Sequence, residues 1–216
     1  LDDLLLIEGD VKFFNKELEP LPRLDFEGIN LSLNNLGLEL MESNQAIGLD
    51  YFLDKNPLLS LKNYSIYTKD SLNKISIGKV NYLDQQLHLQ DVKFQPTLGS
   101  YDYLRKKIYQ SDAIEANVES ILFDGVQLEE FLENQKLRAD RILLDSLEMD
   151  VFRDKRRPME EGTIRLMPQA LMQNSPFDME IDSVLIRNGL VRYQEFAPRA
   201  MLPGSIYFSD LNMDMA

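Results

Sequence analysis

The chain reads as a mainly β protein: an elongated, curved antiparallel sheet of repeated hairpins with an apolar inner face and one or two short helices. Three observations predict this. Apolar and polar residues alternate along much of the 216-residue chain, the spacing of half-buried strands. The phrase Gly-x-Val-x-Phe/Tyr recurs at Gly9-Val11-Phe13, Gly78-Val80-Tyr82 and Gly189-Val191-Tyr193, which marks a repeated unit. The alternation also slips by one residue at four places, a spacing that a β-bulge absorbs while one face stays apolar.

Residues 4–14 form the first predicted strand, with a break at Gly9-Asp10. The stretch from Asn15 to Pro22 reads as a turn because its two prolines are excluded from a central ladder. Leu24, Phe26, Ile29, Leu31 and Leu33 then alternate across a slip at Glu27-Gly28. The slip recurs at Gln90-Asp91, at Asp124-Gly125 before Val126 and Leu128, and at Ser209-Asp210. Each slip ends on Gly or Asp, residues that tolerate positive φ better than most. Ile47–Leu53 and Leu58–Thr68 read as strands about the turn Asp54-Lys55-Asn56-Pro57, and Leu144–Phe152 as another. Two short helices are expected: 99–109, capped by Ser100, and 128–135, with Leu128, Phe131 and Leu132 on one side. Residues 1–152 therefore form the hairpin sheet with its helices, 153–176 an irregular insertion or hinge, and 177–216 a further hairpin of the same sheet.

Composition excludes several classes of function. A formal charge of −13 disfavours a nucleic-acid backbone, which requires clustered Lys and Arg, and opposes an anionic membrane through the overall charge. With no Cys there is no disulfide framework, thiolate nucleophile or Cys-based metal site. No stretch approaches the roughly 18 apolar residues of a membrane span. No basic, apolar leader opens the chain at Leu1-Asp2-Asp3, and its start and end inside strands suggest a piece of a longer chain.

The run Ile181 to Tyr193, with Asn188-Gly189-Leu190-Val191-Arg192-Tyr193 at its heart, is answered by Gly204-Ser205-Ile206-Tyr207-Phe208-Ser209-Asp210-Leu211. This pairing resembles the AsmA-like envelope proteins of Gram-negative bacteria and their relatives of unknown function. Leu4–Leu33 looks like another copy, and Leu72–Phe94 a shortened one. The resemblance implies a repeating β-groove, open along one side, that shields phospholipid or other acyl chains during lipid transport or outer-membrane assembly. It further implies a periplasmic location, an inner-membrane anchor outside this segment, envelope protein partners, and neither catalysis nor a cofactor.

A lipid groove needs a continuous apolar face with too few covering elements to close it. The candidate lining is Phe13, Phe26, Leu31, Leu89, Phe94, Phe123, Val191, Tyr193, Phe208, Met213 and Met215; flexible Met side chains suit varied apolar partners. Taken singly, each of these residues fits better in the core of an ordinary sandwich, as in a closed structural or assembly module of the envelope. Taken together, with two short helices to cover so much sheet, they favour the groove. A weaker alternative is a carbohydrate-binding β-sandwich using Tyr64, Tyr67, Tyr101, Tyr103 and Tyr109 as a platform. His88, the only histidine, falls opposite Leu87 and Leu89 and reads as solvated, as does the turn Arg153-Asp154-Lys155-Arg156-Arg157. Glu129, Glu130 and Glu133 read as the polar face of a helix, and no hydrolase, zinc-protease or nucleotide-binding motif is present.

Overall fold

The strands are β1 (Leu4–Phe14), β2 (Pro22–Leu33), β3 (Leu58–Tyr67), β4 (Asn73–Leu83), β5 (Gln86–Pro96), β6 (Asp112–Asp124), β7 (Lys136–Asp154), β8 (Asp178–Phe196) and β9 (Gly204–Met215). Two helices, α1 (Ser100–Arg105) and α2 (Leu128–Asn134), flank β6. The structure, a computed structural model, describes residues 4–14, 22–33, 58–68, 70–134, 136–160 and 178–215. The predicted strand Ile47–Leu53, its turn at 54–57 and most of the 153–176 insertion lie outside these residues.

All nine strands lie side by side in chain order in one open, curved sheet. Seven of the eight pairings are antiparallel. The exception is β7 with β8, which run parallel from Lys136↔Asp178 to Asp154↔Phe196. The hairpin of β8 and β9 thus joins the sheet through a parallel seam. Because β7 has 19 residues, Asp154 and Asp178 sit at opposite ends of the strands, about 60 Å apart. A parallel seam requires a long crossover, and 23 residues separate Asp154 from Asp178.

The slips have a common cause that only the register shows. Left-handed residues occur once in most strands: Glu8, Gly28, Asn63, Asp91, Ser146, Asn188 and Asp210. Register lines them up across the sheet, with Asn63 opposite Gly78, Gly78 opposite Asp91, Asp91 opposite Glu119, and Glu119 opposite Ser146. Each such residue turns the following side chains to the other face. Neighbouring strands turn at the same place, so the apolar face continues across the bend. From β3 to β8 the register is unbroken, so no residue is inserted relative to a neighbour there. True register shifts occur where β1 meets β2, β2 meets β3, and β8 meets β9.

The repeated glycine has a different role from the expected one. In β1 the left-handed residue is Glu8, not the glycine after it. At Gly78 an added Cβ would stand 2.9 Å from the Asp91 Cβ, and at Gly189 one would stand 3.0 Å from the Leu211 Cβ. Both glycines make room for a bent neighbour rather than bending themselves.

Three local expectations are corrected. Asp124-Gly125 is not a slip inside a strand: β6 ends at Asp124, Gly125 turns with φ +71°, and Val126 is buried beneath the start of α2. Helix α1 stops at Arg105 and has Gly99 at its N-cap, while the Ser100 hydroxyl turns to Glu115, 3.1 Å away. The strand expected over 144–152 extends to Lys136–Asp154, because β6 and β8 pair with it on either side.

Two small cores close the ends of the strands. At one end, Tyr103 and Leu104 of α1 pack on Ala113, Phe152 and Phe196. Ala113 and Phe152 alternate with Ile114 and Val151, so this core lies on the face opposite the continuous apolar one. At the other end, Tyr82, Val126 and Ala139 form a cluster with Leu87, Phe123 and Leu128 of α2 packed against it.

Candidate functional site

Register assembles the apolar face into transverse rows. One row runs Leu61, Val80, Leu89, Ile121, Leu144, Ile186, Met213. Across the bend another runs Ile66, Ile75, Phe94, Ala116, Met149, Val191, Phe208. Every position in both rows is apolar. Cross-strand apolar pairs stabilise the sheet itself, while the exposed side of each pair faces outward from the sheet.

The sequence-derived lining positions fall on this grid. Leu89 and Met213 share the first row, and Phe94, Val191 and Phe208 share the second. Phe123 and Met215 belong to the row Leu59, Tyr82, Leu87, Phe123, Ile142, Val184, Met215. Tyr193 lies opposite Val151 and Ile206, and Leu31 opposite Leu59. Phe13 is registered with Leu24 and Phe26 with Val11, but both side chains lie outside the described part. The centre of the grid escaped the sequence reading: Val80, Tyr82, Val118, Ile142, Leu144 and Leu147. Their signal was present, since Ile142 and Leu144 followed by Leu147, Met149 and Val151 is the same slip once more.

Coverage of the grid is uneven. Tyr82 is 7% exposed and Ile142 is 8% exposed in the row beside α2, whereas Phe208 on β9 is 50% exposed. Most residues between are half-buried. A closed sandwich core would bury them with a second layer, and among the described residues no second sheet faces this one. Burial pushes the phenols of Tyr64, Tyr82 and Tyr193 upward, so all three stay neutral on the apolar face. Tyr193 also donates its hydroxyl proton to Glu195 at 2.8 Å.

Polar groups occupy the opposite face and the rims. His88 is half-buried rather than solvated, its Nε2 lying 2.8 Å from the Ser120 hydroxyl. Along the bend, side chains satisfy backbone groups: Asp10 accepts from the Gly28 N–H at 3.0 Å, and Asn212 from the Asn188 N–H at 3.3 Å. Asp91, Asn117, Glu119 and Ser146 line a shallow open depression on that line. The charged turn after β7 is paired rather than free: Arg153 binds Asp112, Arg156 binds Asp154 at 2.7 Å, and Lys155 binds Glu195 at 2.7 Å. Three of the tyrosines do not share a platform: Tyr64 belongs to the apolar face, Tyr103 is buried between α1 and the sheet, and Tyr101 packs on Phe152. Among the described residues no group of three or more His, Asp or Glu side chains is gathered to hold a metal ion. No helix among them is long and apolar enough to cross a membrane.

No family model, curated protein or solved structure matches this chain.

Proposed function

We propose that the inner face is a lipid groove: a non-enzymatic, AsmA-like envelope segment that shields acyl chains during lipid transport or outer-membrane assembly. The carrying observation is the apolar grid, continuous from β3 to β9, covered beside α2 and left half-exposed beyond it. Monomeric soluble proteins rarely leave so large a contiguous apolar surface without a use for it. An acyl chain laid along the rows exchanges water for apolar contact at roughly 0.8 kcal/mol per CH₂. The mechanism is this transfer, and no bond is made or broken. The bend adds to the reading because it turns the sheet along one transverse line, which gives a chain-like ligand a trough to follow. The reading carries with it a periplasmic location and an inner-membrane anchor outside the segment.

A second reading, an envelope assembly module, draws on β9. This edge strand is exposed over nearly its whole length and has no Pro or Lys within it to discourage pairing. A neighbouring strand would add there by main-chain hydrogen bonds.

Native mass spectrometry with organic extraction, on protein purified gently from a bacterial envelope, separates the two. The groove reading expects co-purifying lipid, displaced when Phe94 and Val191 are both replaced by Asp. Protein that is reproducibly lipid-free and pairs through β9 would favour the assembly reading instead.

A further inference from the structure

The two long sides of the sheet carry opposite charge. On the α1 side, the connections before β4, around α1, after β7 and after β8 meet, because Asn73 pairs with Pro96, Asp112 with Arg153, and Asp154 with Phe196. They are tied into one strip. Thr97 donates its N–H to the Leu72 carbonyl at 2.9 Å, Gln110 to Pro158 at 3.0 Å, and Lys155 to Phe196 at 2.9 Å. Over the described residues 68, 70–72, 97–111, 155–160 and 197–203, seven cations stand against three carboxylates; with Asp154 and Glu195, the strand-end partners of Arg156 and Lys155, the net is +2. On the α2 side, 84–85 and 125–134 hold four carboxylates and no cation; with Arg138 of β7, which pairs with Glu130, the net is −3.

The basic strip is also apolar at its tips. Met201 is 93% exposed, Leu202 78%, Ile108 74% and Met159 68%. They come from three separate connections, so sequence proximity does not explain their gathering. Lys106 and Arg199 are exposed and have no carboxylate partner among the described residues, and Arg157 forms no salt bridge among them, although its charge helps hold the Asp154 carboxyl low.

We propose that this rim docks on an anionic phospholipid bilayer. The apolar tips would enter the boundary between headgroups and acyl chains, and Lys106, Arg157 and Arg199 would meet lipid phosphates. The chain's net charge of −13 does not prevent this. The acidic rim lies a strand length away, about 40 Å for the 13 residues of β6, whereas charges are screened over about 8 Å at physiological salt. Local sign therefore outweighs total charge. The surface uses residues outside the apolar grid and stands whether or not the grid holds lipid.

Vesicle flotation tests it, comparing phosphatidylcholine alone with phosphatidylcholine containing about a third phosphatidylglycerol. Preferential binding to the anionic vesicles is expected, weakening as salt rises. The triple variant Lys106→Glu, Arg157→Glu, Arg199→Glu should lower that binding at least about tenfold, with an unchanged circular dichroism spectrum. Because the chain has no Trp, Met201→Trp introduces a sole tryptophan, whose emission should shift to the blue only with anionic vesicles. Equal binding to both vesicles, no binding, or binding untouched by the triple variant overturns the proposal. So does a triple variant that still floats but loses its co-purifying lipid, since the rim would then hold the headgroup of a bound lipid. Loss of flotation with lipid retained leaves the groove reading intact.

Discussion

Phe152 and Phe208 are both strand phenylalanines, yet the first is 7% exposed and the second 50%. Phe152 sits under α1 with Ala113, Tyr103 and Leu104, and Tyr101 packs on its ring at 4.8 Å. Phe208 shares a row with Val191 but lies on the edge strand, where nothing covers it among the described residues. The sheet thus contains two kinds of apolar surface. One is sealed by a helix and holds the fold; the other is held by cross-strand neighbours alone and remains available. The largest effect should expose this division. Phe152→Ala should cost about 3–5 kcal/mol in urea denaturation. Phe208→Ala should cost under about 1 kcal/mol while lowering lipid retention. Equal losses at the two sites would abolish the distinction.

An intermediate effect belongs to the bend that keeps the open surface continuous. Gly78→Val places a side chain against Asp91 at a distance that real Cβ atoms do not adopt. The neighbouring strands must shift, at about 1–3 kcal/mol. Gly99→Val, where nothing stands within 4 Å of an added Cβ, is the matched control with no clash. The comparison breaks if Gly78→Val leaves both stability and lipid retention unchanged, because the bend would then be incidental to the trough.

Why was this bend only partly legible? Gly28, Asp91 and Asp210 were readable as slips, since each separates two runs of alternating apolar residues. Asn63 and Ser146 were not singled out, and Asn188 stood out only through the glycine after it, although all three do the same work. A slip in one strand is a local pattern, but a line across nine strands is a property of register, and register depends on pairing. Asp124-Gly125 shows the converse. Its spacing matches the slip, yet Val126 finds a buried place beneath α2, so tertiary packing ends the strand. The parallel seam was illegible for a similar reason: Ile181–Tyr193 has the same alternation whichever way its neighbour runs. The rim was hidden most completely, because Arg157, Lys106 and Arg199 gather only when three connections meet.

The smallest effect should mark the sealed side through acid. Asp154 is held below the usual carboxylate range, first by hydrogen bonds from the Arg156 side chain, and Glu195 first by one from Lys155. Thr68 does the same for Asp70. A lowered folded pKa means that each group adds stability above its unfolded value, about 4, and loses it as pH falls through the folded value. Lys136 and Arg138 hold Glu180 low in the same way at the far end of β8. Acidification below about pH 4 should therefore loosen both ends of the strands before the grid, seen on the α1 side as faster amide exchange near Lys155 and Phe196 after correction for intrinsic rates. Arg156 is exposed, so solvent screens its pair with Asp154 and the effect is small. Arg156→Gln should remove that share of the acid sensitivity and uncover the Phe196 ring, over which the guanidinium lies at 3.7 Å. The grid between the rims has no such carboxylate within its apolar rows, so its amides should keep their protection over the same interval. Uniform loosening of both regions would mean that self-repulsion of the whole chain, rather than these pairs, governs its response to acid.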